Sequence, residues 1–158
     1  MLITVTTAEP PATSFLHLVV GYDGSPPASR ALDAAVRLLQ GRTGSIDVVY
    51  IAHLSSLVML SADAIAEMES DFSDIERELR AQAAAELSGK TEAWRFHHRQ
   101  GVIADELIAE ATDLQEAGSA GTVVVIVVGS SSHASHRVVG SVAVSLARHS
   151  PVPLVIVP

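Results

Sequence analysis

Cysteine is absent from the 158 residues, which removes disulfide staples, thiol nucleophiles and thiolate metal sites together. The absence fits a cytoplasmic chain. Aromatic residues are scarce at 4 %, although hydrophobic residues make up 48 %. The core is therefore expected to consist of Val, Ile, Leu and Ala, the usual material of strands covered on both faces by helices. Basic residues are few: 10 Lys and Arg against 18 Asp and Glu leave a net charge of −8. That balance repels a phosphate backbone, and no nucleic-acid partner is expected. Long apolar runs are lacking too. Mean hydropathy is +0.34, yet the longest unbroken apolar run is Val123–Val128, far below the ~20 residues of a membrane-spanning helix. No membrane partner is expected either. The opening MLITVTTAEPPATSF has no basic residue ahead of its apolar patch and makes a poor signal peptide. Residues 1–14 read as a flexible leader to one domain at 15–158.

Five short β-type runs alternate with helical patterns. The runs are HLVVGY (17–22), IDVVYIAH (46–53), EAWRFHH (92–98), TVVVIVV (122–128) and LVIVP (154–158). In the third, Ala93, Arg95 and His97 alternate with Trp94, Phe96 and His98, which predicts an edge strand with one wetter face. Helical stripes appear at Ala28, Ala31, Leu32, Ala35, Val36 and Leu39, again at Ile103, Leu107, Ile108, Ala111 and Leu114, and again at Val139, Val142, Ala143, Leu146 and Ala147. Residues 61–88 are rich in Ala and Glu and read as helix with a break near Ser70-Phe72-Ser73, their acidic residues forming a solvated face. Alternating β and α elements predict a parallel sheet with helices on both faces. The expected fold is α/β, a doubly wound, Rossmann-like, five-stranded parallel sheet with strand order 3-2-1-4-5.

In such a sheet ligands bind outside the carboxyl ends of the strands, where strand order reverses. Strand one ends in Gly21-Tyr22-Asp23-Gly24-Ser25 and strand four in Gly129-Ser130-Ser131-Ser132. Glycines let a ligand approach the backbone. A helix starting near Gly140-Ser141-Val142 offers unpaired amides and a positive dipole end to a phosphate. Arg137 adds a cation. Asp23 suits a ribose hydroxyl or an adenine amino group, and as an Asx turn it also leads into a helix that Ser25 can cap. With no phosphate bound, Ser141 is expected to cap the last helix. His133 and His136 have no cysteine or carboxylate partner in sequence, so no metal site is expected. The residue two after Ser131 is His133, so the G-x-S-x-G elbow is absent. A G-x-x-x-x-G-K-[ST] phosphate loop is missing as well, and no catalytic residue is assigned.

VVGYDGS at 19–25, VVYIAH ending strand two, Gly129, Gly140-Ser141 and the ending SPVPLVIVP together resemble the universal stress protein family across residues 17–158. The resemblance implies a cytoplasmic stress-response protein that binds an adenine nucleotide, ATP or AMP in type, with or without magnesium. It implies adenosine at Asp23 and near Ile51, phosphates on the glycine loop and Gly140-Ser141, and a homodimer through the last strand (153–157). Nucleotide-binding members show G-x-x-G, nine residues, then G-S or G-T. Here Ser132 stands at the second glycine, and seven residues, 133–139, precede Gly140. Two other readings stay open: a dimeric interaction protein with an empty pocket, and a slow nucleotide hydrolase.

Overall fold

β-Branched runs and amphipathic stripes alternate along the chain, and each becomes a strand or a helix in the computed structural model, which describes residues 14–52, 62–130 and 140–158. The order is β1 (Leu16–Gly21), α1 (Pro26–Leu39), β2 (Gly44–Ala52), α2 (Ala62–Leu87), β3 (Trp94–Gln100), α3 (Ile103–Ala117), β4 (Val123–Gly129), α4 (Ser141–His149) and β5 (Leu154–Val157). All five strands are parallel, in the order β3-β2-β1-β4-β5. This is the expected doubly wound sheet. β3 lies at one edge, as its alternating pattern predicts, and β5 at the other.

The two faces of the sheet carry separate cores. Leu18, Val20, Ile46 and Val48 pack with α1 and with Leu79, Ala83 and Leu87 of α2. Val19, Val49, Ile126 and Val128 pack with Ala104, Leu107 and Ala111 of α3 and Ala143 and Leu146 of α4. The stripe read for α1 is buried at all six positions. Ser25 caps that helix, its Oγ accepting from the Ala28 amide at 3.4 Å, with Pro26 and Pro27 opening the first turn.

Three expectations need correction. α2 runs unbroken for 26 residues through Ser70–Ser73. It holds no Gly or Pro, Ser and Asp cost a helix only a few tenths of a kcal/mol, and its later half is anchored by Leu79, Ala83 and Leu87. β2 begins at Gly44, which pairs with Leu16; a Cβ there would collide with the Leu16 carbonyl, so glycine is required for the strands to meet. Ser141 is not the cap of α4. Gly140 occupies that place in extended conformation and Ser141 is the first helical residue. Val139 lies outside the described residues.

Candidate functional site

α1, which follows β1, packs on one face of the sheet, and α4, which follows β4, packs on the other. The strand order reverses between β1 and β4, so the loops after them diverge and leave a crevice at their carboxyl ends. A cavity of about 210 Å³ occupies it. Of the residues read from sequence, Gly21, Tyr22, Asp23, Ile51, Gly129, Gly140, Ser141 and Val142 line this cavity. Gly24 and Ser130 are not in its wall. Ser131, Ser132, Arg137, His133 and His136 lie outside the described residues.

The loop after β1 is held from three sides. The Ser25 amide donates to Asp23 Oδ1 at 3.0 Å, closing the expected Asx turn and leaving Asp23 exposed at the rim. Gly24 adopts φ +74, a left-handed conformation, beneath Leu79 and Gln82 of α2; Gln82 Nε2 donates to its carbonyl at 3.4 Å. Tyr22 is buried, and its hydroxyl donates to Glu86 Oε1 at 2.8 Å, the oxygen that also accepts from Ser29 Oγ at 2.8 Å. Burial and the adjoining Glu86 carboxylate push the Tyr22 phenol far up, so it stays a neutral donor. Glu86 thereby ties α2 to the end of β1 and the first turn of α1.

The helix starts around the crevice differ in what they offer an anion. α1 offers almost nothing: Pro26 and Pro27 have no N–H, and the Ala28 amide is taken by Ser25. α3 carries Asp105 and Glu106 in its first turn, which oppose negative charge. α4 has no acidic residue in its first turn, and the amides of Ser141, Val142 and Ala143 have no acceptor within the helix. Of these three starts, α4 is the one whose free amides and positive dipole end suit an anion. Val49, Ile51, Ile103, Leu107 and Val128 give the cavity apolar walls. The lining thus sets apolar walls between the exposed carboxylate of Asp23 and the amino end of α4.

Gly129 has a structural reason of its own. A Cβ there would collide with the Pro27 carbonyl, so glycine is what allows α1 to start against β4. The sequence missed Val49, Tyr50, Ile103 and Leu107 because their apolar side chains carry no signature. The β2 pair directly precedes Ile51, the position expected near the adenosine, on the same strand.

A second constellation, unread from sequence, lies on the α3 face in the amino halves of the strands. Asp47 is fully buried. Its Oδ1 accepts from Arg95 Nε at 3.0 Å and His97 Nε2 at 3.1 Å, and its Oδ2 from His17 Nδ1 at 3.1 Å and Ser45 Oγ at 3.3 Å. Burial alone would raise this carboxyl, but the bonds from His97, His17 and Arg95 overcome it and hold it at about 2. Ligand atoms of Asp47, His97 and Glu110 lie within 4.8 Å of one another. Their arrangement is that of an ion network: His97 turns a different nitrogen to each carboxylate, Arg95 shares Asp47 Oδ1 with it, and Arg99 takes the other oxygen of Glu110.

Among the described residues, no helix is long and apolar enough to cross a membrane. No curated protein matches the chain. Among solved structures it is similar to a universal stress protein, UspA, from Lactobacillus plantarum (18 % identity, TM-score 0.73, 93 % of this chain and 100 % of that one). It is similar as well to a universal stress protein in complex with cAMP (24 %, 0.61, 93 % and 99 %) and to one from Archaeoglobus fulgidus in complex with dAMP (17 %, 0.56, 92 % and 98 %). At these identities the likeness establishes the fold. The profile of the Universal stress protein family matches residues 14–158, nearly the whole chain, and the protein belongs to that family.

Proposed function

We propose that the protein is a cytoplasmic stress-response binding protein that takes an adenine nucleotide into the crevice between β1 and β4. One observation carries the reading: the cavity joins the rim carboxylate of Asp23 to the amide end of α4 through apolar walls. The adenosine part of the nucleotide supplies the flat body and the donors, and the phosphate supplies the anion. Relatives of the same fold solved with cAMP and dAMP support that chemistry. Mass spectrometry of small molecules released from the purified protein, followed by calorimetry with AMP, cAMP and ATP with and without magnesium, tests it. The absence of both a released nucleotide and binding heat with any of them would overturn it.

The working unit is a homodimer paired through β5. Leu154–Val157 are apolar, half-buried and at the sheet edge, where an undefended strand invites a partner strand. A Val155→Lys variant that sediments at the same mass as the parent would disprove this arrangement. A second reading, the same dimer acting through partner proteins with the crevice empty, draws support from Gly129, whose lack of a side chain is already explained by Pro27. Nucleotide copurifying with the protein rules it out.

A further inference from the structure

His97 projects from the edge strand β3 onto the α3 face, between two acidic groups held by neighbouring elements. On β2, Asp47 Oδ1 lies 3.1 Å from His97 Nε2. On α3, Glu110 Oε1 lies 3.4 Å from His97 Nδ1. Both acids are buried, and His97 itself is 29 % exposed. An ionised carboxylate can only accept hydrogen bonds, and a neutral imidazole has one N–H and one lone pair. A neutral His97 would therefore aim a lone pair at one of the two anions. We propose that His97 is held as an imidazolium, a one-proton fastener joining α3 to the centre of the sheet, and that α3 loosens when this proton leaves.

The remaining charges around the ring agree with that assignment. Arg95, from β3, shares Asp47 Oδ1 and opposes a cation on His97, yet its side chain is 55 % exposed and its effect is diluted by solvent. Arg99, also from β3, is engaged elsewhere: its Nε pairs with Glu110 Oε2 at 2.9 Å, and its other nitrogens reach Glu106 at 3.4 Å and Asp113 at 2.7 Å. His17 and Ser45 meet Asp47 on its other oxygen. Hydrogen bonding to Asp47 raises the His97 ring, burial lowers it, and Glu110 and Asp47 add their charge in favour of the proton. A histidine pKa raised by folding stabilises the fold fully below the ordinary value of about 6.5, and that stabilisation is lost as pH rises through the folded value.

Nitrogen NMR of the histidine rings in the intact protein, recorded across the neutral range, tests the fastener. Expected are two protonated nitrogens on His97 and a titration midpoint above about 6.5, with amide protection along α3 falling through the same midpoint. Glu110→Gln is expected to lower that midpoint while the fold persists, and His97→Gln to remove the neutral-range loss of α3 protection. Overturning results are a ring that titrates at or below the ordinary value, an α3 whose protection ignores the His97 midpoint, or zinc that binds stoichiometrically in place of the ring protons. The ring measurement on the parent protein decides the matter even where a variant fails to fold.

Discussion

At the carboxyl ends of β1 and β4 the protein leaves helix amides and one exposed carboxylate facing a cavity. In the amino halves of β1, β2 and β3 it does the opposite, surrounding one buried carboxylate with two histidines, an arginine and a serine. In the first region the α4 amides have no acceptor within their helix, and Asp23, whose Oδ1 accepts from Ser25, stays exposed to a ligand. Polar groups in the second are saturated by one another, and a buried charge is tolerable only in that condition. The lesson is that burial and partner count, more than charge, separate a binding site from a structural network. Substitutions in the amino half are expected to change stability without changing ligand affinity, and those at the α4 start to do the reverse.

Asp47→Ala carries the largest expected effect. It leaves His17, His97 and Arg95 without their common acceptor, and breaking a buried pair costs about 3 kcal/mol or more. Partial exposure of the cations keeps the loss near that lower figure. In a domain of this size the melting temperature falls by about 6–12 °C, while AMP affinity stays within about twofold, since the two regions share no hydrogen bond. The parent also has an acid limb. The Asp47 pKa is depressed from 3.8 to about 2, so its stabilisation is complete above the unfolded value and is lost as pH falls from about 4 towards about 2. In Asp47→Asn that part of the acid limb is expected to vanish from a melting series. An unchanged limb would mean that Asp47 is not the hub of the network.

This contrast also marks what was legible in the sequence. Val-rich runs and i, i+3, i+4 stripes report burial directly, so strands and helices could be read, and Gly21-Tyr22-Asp23 and Gly140-Ser141 pointed to the crevice. Asp47 could not be read, because it sits in an apolar run where only register reveals its neighbours. It pairs across the ladder with Val19 on one side and Arg95 on the other, and Glu110 arrives from a helix more than sixty residues away in sequence. Glu86 was hidden for the same reason, one acid among many on α2, distinguished only by Tyr22 and Ser29. Ser141 was misread because a serine beside a helix start is ordinarily the cap, and here the glycine before it holds that place.

Gly129→Val tests where the crevice and the fold share a residue. Its side chain meets the Pro27 carbonyl, backbone that has nowhere to yield but the start of α1. Overpacking of this kind costs about 1–3 kcal/mol, and because α1 borders the cavity, AMP binding is expected to weaken with it. Equal stability with weakened binding would show instead that the glycine is kept for the ligand alone. Glu86→Ala is expected to cost slightly less, about 1–2 kcal/mol, by stranding the Tyr22 and Ser29 hydroxyls. Glu86→Gln, which keeps an acceptor oxygen, is expected to recover most of that loss in a denaturant titration.

Gly140→Asp has the smallest expected effect on stability and the most selective effect on binding. Gly140 has φ −60 and ψ 158, an extended conformation that any residue adopts, and Asp is a better helix cap than Gly. A carboxylate beside the positive end of α4 adds about 0.3–1 kcal/mol of helix stability, so the melting temperature holds or rises slightly. The same carboxylate occupies the amides offered to the anion and repels it. AMP affinity is expected to fall by about tenfold, equivalent to about 1.4 kcal/mol, while affinity for adenosine, which has no phosphate, is unchanged. Paired calorimetry with the two ligands reads this difference directly. If AMP and adenosine weaken together, the α4 start shapes the pocket without holding the phosphate, and the anion must lie elsewhere along the rim.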